Sequence, residues 1–278
     1  MNENLTIVIQ GPLDKKSLNN IDNYLKFGKV IVSTWTESVS IDITQYQKPN
    51  VLFVVNDLGK NIDENGNQLD RNFYNNRVER YRNTFLINDN GIKEVDFQNI
   101  AKQVNSSLYG INQSTTEYTL KIRSDASYSD LSILLETIKE YPDKIITGNV
   151  WAIGCGYIAG IKHFCGISDH FICAKTILIK KMFEIAKQRL IDNKFEGIHE
   201  RQDLDINNIP YFICPETLLG SCGVLANNEV IDVNKCREYQ DKYFRLINIF
   251  KLGNVDITVT NQSHTNKDNI VSENSHEE

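Results

Sequence analysis

Apolar residues are grouped along the chain in short, nearly continuous runs that alternate with amphipathic stretches. Leu5 to Ile9 is one such run, ending at Gln10-Gly11-Pro12; Val30 to Ser33 is a second, ending at Thr34-Trp35; Val51 to Val55 is a third, ending at Asn56-Asp57-Leu58-Gly59. Each is strand-sized. Between the first two, Leu18, Ile21, Tyr24 and Leu25 recur at spacings of three and four, which predicts a helix with one apolar face. Strands that are apolar throughout, separated by helices, belong to a mostly parallel sheet buried on both faces. Such sheets bind ligands at the carboxyl ends of their strands.

From about 60 to 96 the periodicity gives way to Asn, Asp and Arg, which reads as an insertion or mobile loop. Phe97, Ile100, Ala101, Val104, Leu108 and Ile111 then mark a helix whose polar face carries Asn99 and Gln103 side by side. Tyr118-Thr-Leu-Lys-Ile122 is a strand that stops at Arg123-Ser124-Asp125, followed by a helix from Leu131 to Ile138. In the second half, Ile145 to Ile153 reads as a strand. Phe164-Cys-Gly-Ile-Ser-Asp169 is expected to lead into a long helix through Leu190, with Ser168 as its cap. Tyr211 to Cys214 and Val255 to Val259 complete the strands, and the polar 266–278 segment reads as a disordered tail behind a 1–265 domain. The fold class is therefore α/β, a Rossmann-like central sheet flanked by helices.

Composition narrows the function. A net charge of −6 argues against a nucleic-acid partner, which would need a basic surface. No segment reaches the roughly 18 apolar residues of a membrane span, and no signal-peptide pattern opens the chain, so a cytoplasmic location is expected. The six cysteines, at 155, 165, 173, 214, 222 and 236, show no zinc-site spacing and are expected to be free thiols. The five histidines lack metal spacing.

Asp125 is the focal residue. A carboxylate at the end of a central strand is placed to hold a divalent cation against a diphosphate, although an aspartate in that position also serves as an ordinary turn or capping residue. The context is supplied by Ile7-Val-Ile-Gln-Gly-Pro12, Ile31-Val-Ser-Thr-Trp35, Asn99 with Gln103, and Tyr118-Thr-Leu-Lys-Ile-Arg-Ser-Asp125, in that order. Together they resemble the WavE lipopolysaccharide-synthesis family, with weaker echoes at Ser168-Asp-His-Phe171 and Pro215-Glu216.

The resemblance implies a GT-A-like glycosyltransferase that moves a sugar from a nucleotide-sugar donor to a glycan or glycolipid acceptor, in lipopolysaccharide, O-antigen or capsule synthesis. It would work in the cytoplasm, at most peripheral to the inner membrane. Its donor pocket would be lined by Gln10, Gly11, Pro12, Ser33, Thr34, Trp35, Asp57, Asn99, Gln103, Arg123 and Asp125, with Trp35 stacking on the base and Asp57 on the ribose. Arg123-Ser124-Asp125 would resemble the DxD motif, with Arg123 in place of the first acid. That replacement leaves the role of Mn or Mg open, because a guanidinium can itself meet a diphosphate. Asp125 and, near the C-terminus, His264 are the metal-ligand candidates; Asp169 and Glu216 are the candidate general bases. Two other readings share the architecture: a nucleotidyltransferase, which lacks its glycine-rich loop here, and a non-catalytic assembly protein.

Overall fold

The fold is described from a computed structural model, covering residues 4–13, 15–36, 39, 41–62, 65–68, 85–87, 93–95, 100–149, 154–158, 161–192, 199–201 and 215–257. The first apolar run is strand β1 (Leu5–Gln10), buried at every position. Helices α1 (Lys15–Asn19) and α2 (Ile21–Tyr24) carry the amphipathic stretch and return the chain to β2 (Lys29–Trp35) and β3 (Val51–Asn56). After them come β4 (Lys60–Ile62), β5 (Phe85–Ile87), β6 (Lys93–Val95) and the amphipathic helix α3 (Ile100–Asn112). The middle of the chain supplies β7 (Tyr118–Arg123), β8 (Ala126–Tyr128), α4 (Ser132–Glu140) and β9 (Ile145–Gly148). Next are β10 (Gly154–Ile158), β11 (Ile161–Gly166), β12 (Phe171–Lys175), α5 (Thr176–Asp192) and β13 (His199–Arg201). Last come α6 (Pro215–Ala226), α7 (Cys236–Tyr243), β14 (Phe244–Ile247) and β15 (Val255–Ile257).

The central sheet has seven strands in the order β14-β9-β12-β7-β1-β2-β3. All pair in parallel except β12, which runs antiparallel to both β7 and β9. This is the mixed α/β, mostly parallel sheet expected from the continuous apolar strands. Alternation divides its core. Val8 and Ile31 face a layer with Val104, Ile179 and Leu218 of α3, α5 and α6, whereas Ile7, Ile9, Val30 and Val32 face Leu18, Tyr24 and Leu134 of α1, α2 and α4. Both faces are covered, which is why these strands needed no polar side.

Helix α3 approaches the sheet closely at Gly110, where an added Cβ would lie 2.5 Å from Val8 Cγ1 and 2.9 Å from Ser33 Cβ. Alanine gains about 1 kcal/mol of helix propensity over glycine. Overpacking against two rigid strands costs about 3 kcal/mol. Gly110→Ala is therefore expected to lose about 2 kcal/mol in a urea titration, and an unchanged or raised midpoint would mean that α3 can lift off the sheet.

Within the 60–96 stretch, read as an insertion or mobile loop, β4, β5 and β6 pair antiparallel as a small sheet of their own. Two other expectations are corrected. The helix expected to begin at Ser168 starts instead at Thr176, because Phe171-Ile-Cys-Ala-Lys175 is a buried run that fits between β7 and β9. Ser168 caps no helix; its backbone carbonyl accepts a hydrogen bond from the Thr147 hydroxyl at 3.2 Å. The cysteines are not all free: Cys155 and Cys236 form a disulfide across a sequence separation of 81, while Cys165, Cys173 and Cys222 are buried thiols. Sequence spacing carried no trace of that pairing. The strand expected over Tyr211 to Cys214, Cys214 itself and the 266–278 tail lie outside the described residues.

Candidate functional site

Parallel pairing brings the carboxyl ends of β1, β2, β3 and β7 to one edge. Gln10 is paired with both Ser33 and Arg123, and Trp35 with Asn56. The antiparallel strand β12 delivers its beginning to the same edge, so that Asp169 and His170 stand beside the end of β7, and the Arg123 N–H donates to the His170 carbonyl at 3.1 Å. A single reversed strand thus adds a second acidic residue to the edge that already carries Asp125.

Arg123 joins the two acids. Its Nε and Nη2 donate to Oδ1 and Oδ2 of Asp125 at 2.9 and 2.6 Å, and Nη1 donates to Asp169 Oδ2 at 2.9 Å. Gln103, on α3, donates its Nε2 to the same Asp169 oxygen at 2.6 Å. Lys121, a charged residue inside the apolar strand β7, donates its Nζ to the Asp169 backbone carbonyl. Asp169 is fully buried, as is Lys121.

Burial governs the electrostatics but does not always win. It would raise the Asp169 pKa, yet Arg123, His170, Lys121 and the Gln103 hydrogen bond hold that carboxyl well below the usual range. Burial pulls the Lys121 ammonium down to about 8 against the attraction of Asp169. It also pulls His170 down to about 4, with Asp169 again opposing. Arg123 stays charged, since Asp169 and Asp125 outweigh its desolvation.

On the same face lie polar atoms that have no partner among the described residues. Gln10 Oε1 and Asn56 Nδ2 are buried and make no hydrogen bond to those residues, and both side chains belong to the sheet face covered by α3. An unmet buried polar group costs about 1–3 kcal/mol. Trp35, on the same face, has Lys102 Nζ 5.9 Å from its ring centroid. Gly11 makes the approach of strands possible: its φ is +136°, and a Cβ there would lie 2.4 Å from Ser124 Oγ.

Among the residues expected at the site, Gln10, Gly11, Ser33, Trp35, Gln103, Arg123, Asp125 and Asp169 gather at this edge. Ser33 is occupied, its hydroxyl donating to the Ser106 carbonyl at 2.6 Å. Thr34 is buried on the opposite face of the sheet, and Pro12 is exposed. Asp57 is exposed in a turn, accepting the Gly59 N–H at 2.9 Å. Glu216 opens α6, and its carbonyl accepts the Ile167 N–H at 3.1 Å, beside the segment that carries Asp169. Asn99 and His264 lie outside the described residues. The sequence reading missed Lys121, His170 and Asn56. For Lys121 there was a signal, a lysine in the middle of an apolar strand.

A divalent cation between the two acids would compete with Arg123, since both oxygens of Asp125 and one of Asp169 are already bound by its guanidinium. Among the described residues, the grouping of three metal-ligating side chains is Cys155, Cys165 and Cys236, none of them a residue of the Arg123 network. The same residues include no helix long and apolar enough to cross a membrane.

No family profile matches the chain, and no curated protein matches it. Among solved structures, the chain is similar to S. aureus TarS, with a TM-score of 0.34 and 13% identity over 65% of this chain and 29% of that one. It therefore spans less than a third of the length of that neighbour.

Proposed function

We propose that the chain is a GT-A-type glycosyltransferase of the WavE kind, transferring a sugar from a nucleotide-sugar donor to a hydroxyl of a glycan or glycolipid in surface-polysaccharide synthesis. The observation that carries this reading is the strand-end edge itself, where a buried donor (Asn56 Nδ2) on β3, an indole ring (Trp35) on β2 and a buried acceptor (Gln10 Oε1) on β1 follow one another across the sheet to the guanidinium of Arg123 on β7. A nucleobase offers donors, acceptors and a flat face; a diphosphate offers charge.

In this reading Arg123 takes the place of a metal. A guanidinium has five N–H donors, and three are bound to Asp125 and Asp169, which leaves two for the departing nucleotide's phosphate. The acceptor hydroxyl attacks the anomeric carbon, the bond to the nucleotide breaks, and charge developing on the leaving oxygen is met by Arg123. Asp169, buried and held ionised by its partners, is a weak proton acceptor and anchors Arg123; Glu216 takes the acceptor's proton.

The test is a thermal-shift screen against uridine, guanosine, cytidine and thymidine phosphates, with and without manganese. One nucleotide at a hundred times its Kd should stabilise the protein by about 2.7 kcal/mol. The shift is expected without metal and should be lost in Gln10→Ala. A shift that requires manganese would return the role to a cation, and no shift with any nucleotide would sink the donor pocket. Binding without sugar transfer or donor hydrolysis would leave the non-catalytic reading, favoured by the engagement of both acids by Arg123.

A further inference from the structure

Three sulfurs meet where β10, β11 and α7 come together. Cys155 of β10 and Cys236, the first residue of α7, are joined with their Cα atoms 5.9 Å apart. The thiol of Cys165, on β11, lies 3.6 Å from the Cys236 sulfur, and all three sulfurs fall within 4.8 Å of one another. The surroundings of the three differ. Cys165 is fully buried and Cys236 is only 6% exposed, whereas Cys155 is half-buried and is the sulfur nearest to solution. The Cys165 N–H donates to Cys236 Sγ at 3.1 Å, and Cys236 also sits at the amide end of a helix. Both features favour negative charge on that sulfur. Cys165 is held in place by α6, since a Cβ on Gly220 would lie 1.6 Å from its carbonyl oxygen.

We propose that the Cys155–Cys236 disulfide is a site for small thiol reductants of the glutathione class, with Cys155 the sulfur attacked, Cys236 the sulfur that leaves, and Cys165 a second partner for Cys236. An incoming thiolate bonds to Cys155 Sγ, the bond to Cys236 breaks, and the electron pair stays on Cys236, where the Cys165 N–H and the helix end receive it before it takes a proton. A second thiolate then attacks the sulfur carried by Cys155. The reagent departs as its disulfide, and Cys155 and Cys236 remain as two thiols. Two reagent thiols are thus oxidised and one protein disulfide is reduced.

Cys165 does not compete while that bond is intact, because burial pushes its thiol up to about 12. Where Cys155 cannot pair, Cys165 is the sulfur left in contact with Cys236. Oxidised glutathione would then form a mixed disulfide on Cys236, releasing one glutathione thiolate. Cys165, giving up its proton, would attack the Cys236 sulfur and release the second. Either linkage fastens α7 to the β10–β11 hairpin, which runs into Ser168 and Asp169. The proposal does not depend on the donor pocket.

Graded glutathione treatment of the full chain, followed by alkylation and peptide mass mapping, tests it. In the wild type the untreated protein should show the Cys155–Cys236 link, and brief reduction should place glutathione on Cys155 rather than on Cys236. In Cys155→Ser, oxidised glutathione should produce a Cys165–Cys236 link, and Cys155→Ser/Cys165→Ser should stop at a glutathione adduct on Cys236. An adduct on Cys236 in the wild type, or a folded Cys155→Ser variant that forms no Cys165–Cys236 link, would overturn the proposal. So would binding of one zinc ion by the reduced wild type that Cys165→Ser abolishes, which would make the cluster a metal site. The wild-type adduct position decides the case even if the variants fail to fold.

Discussion

Replacing Arg123 with leucine is expected to destabilise the protein by about 4 kcal/mol, because removal of one partner leaves a buried charge uncompensated, which typically costs about 3–5 kcal/mol. The charge concerned is Asp169, whose side chain is 1% exposed, against 24% for Asp125 and 30% for Arg123. At roughly 2 °C per kcal/mol for a chain of this size, the melting temperature should fall by about 8 °C. The cost should be largest above the ordinary carboxylate range, where Asp169 would otherwise be charged. It should shrink as pH falls, since the variant can take a proton that the wild type refuses. Arg123→Lys should lie between the two, because one ammonium cannot span three acceptor atoms on two carboxylates. Adding Asp169→Asn to Arg123→Leu should recover part of the loss, and this non-additivity is the signature of a shared network. A loss under 1 kcal/mol for Arg123→Leu, or strict additivity in the pair, would mean that the guanidinium does not hold Asp169.

How much of this was legible beforehand depended on whether the signal was local. Strands β1, β2 and β3 could be read because each is built on a compact, mostly apolar run, and β7 because Tyr118, Leu120 and Ile122 alternate up to Arg123; their ends could be read because Gly11, Trp35 and Asp125 follow those runs. The position of Asp169 could not be read correctly. Ser168-Asp169 looks like the start of a helix, and only the pairing of Phe171 with Ile122 and of Cys173 with Ile146 makes the next five residues a strand. Antiparallel insertion is a property of the whole sheet. For the same reason the sequence offered Arg123 as a replacement for an acid but not as a bridge, since the carboxylate that completes the bridge lies 46 residues away. The disulfide, the Cys165 contact and the β4–β6 sheet are likewise non-local.

His170 gives the second large effect, and its sign follows from burial. The side chain is 8% exposed, its Nδ1 has no hydrogen-bond partner among the described residues, and Nε2 is 3.6 Å from Asp169 Oδ1. Desolvation lowers its pKa to about 4, Asp169 and Asp125 pull it upward, and Arg123 and Lys121 press it down. The ordinary histidine value is about 6.5. Between those two values the unfolded chain binds a proton that the folded chain refuses, so stability is greatest above the unfolded value and falls as pH drops through the window. At about 1.4 kcal/mol per unit the wild type should lose about 3 kcal/mol relative to His170→Gln between pH 7 and pH 4. Urea titrations at half-unit steps, taken as wild type minus variant, isolate this group from the other histidines and from the carboxylates, which both proteins share. A flat difference would mean that His170 is hydrated or already charged when folded. A difference that grows toward acid in the opposite sense would mean that Asp169 holds His170 as a cation, which would put the positive charge next to the site on an imidazolium as well as on Arg123.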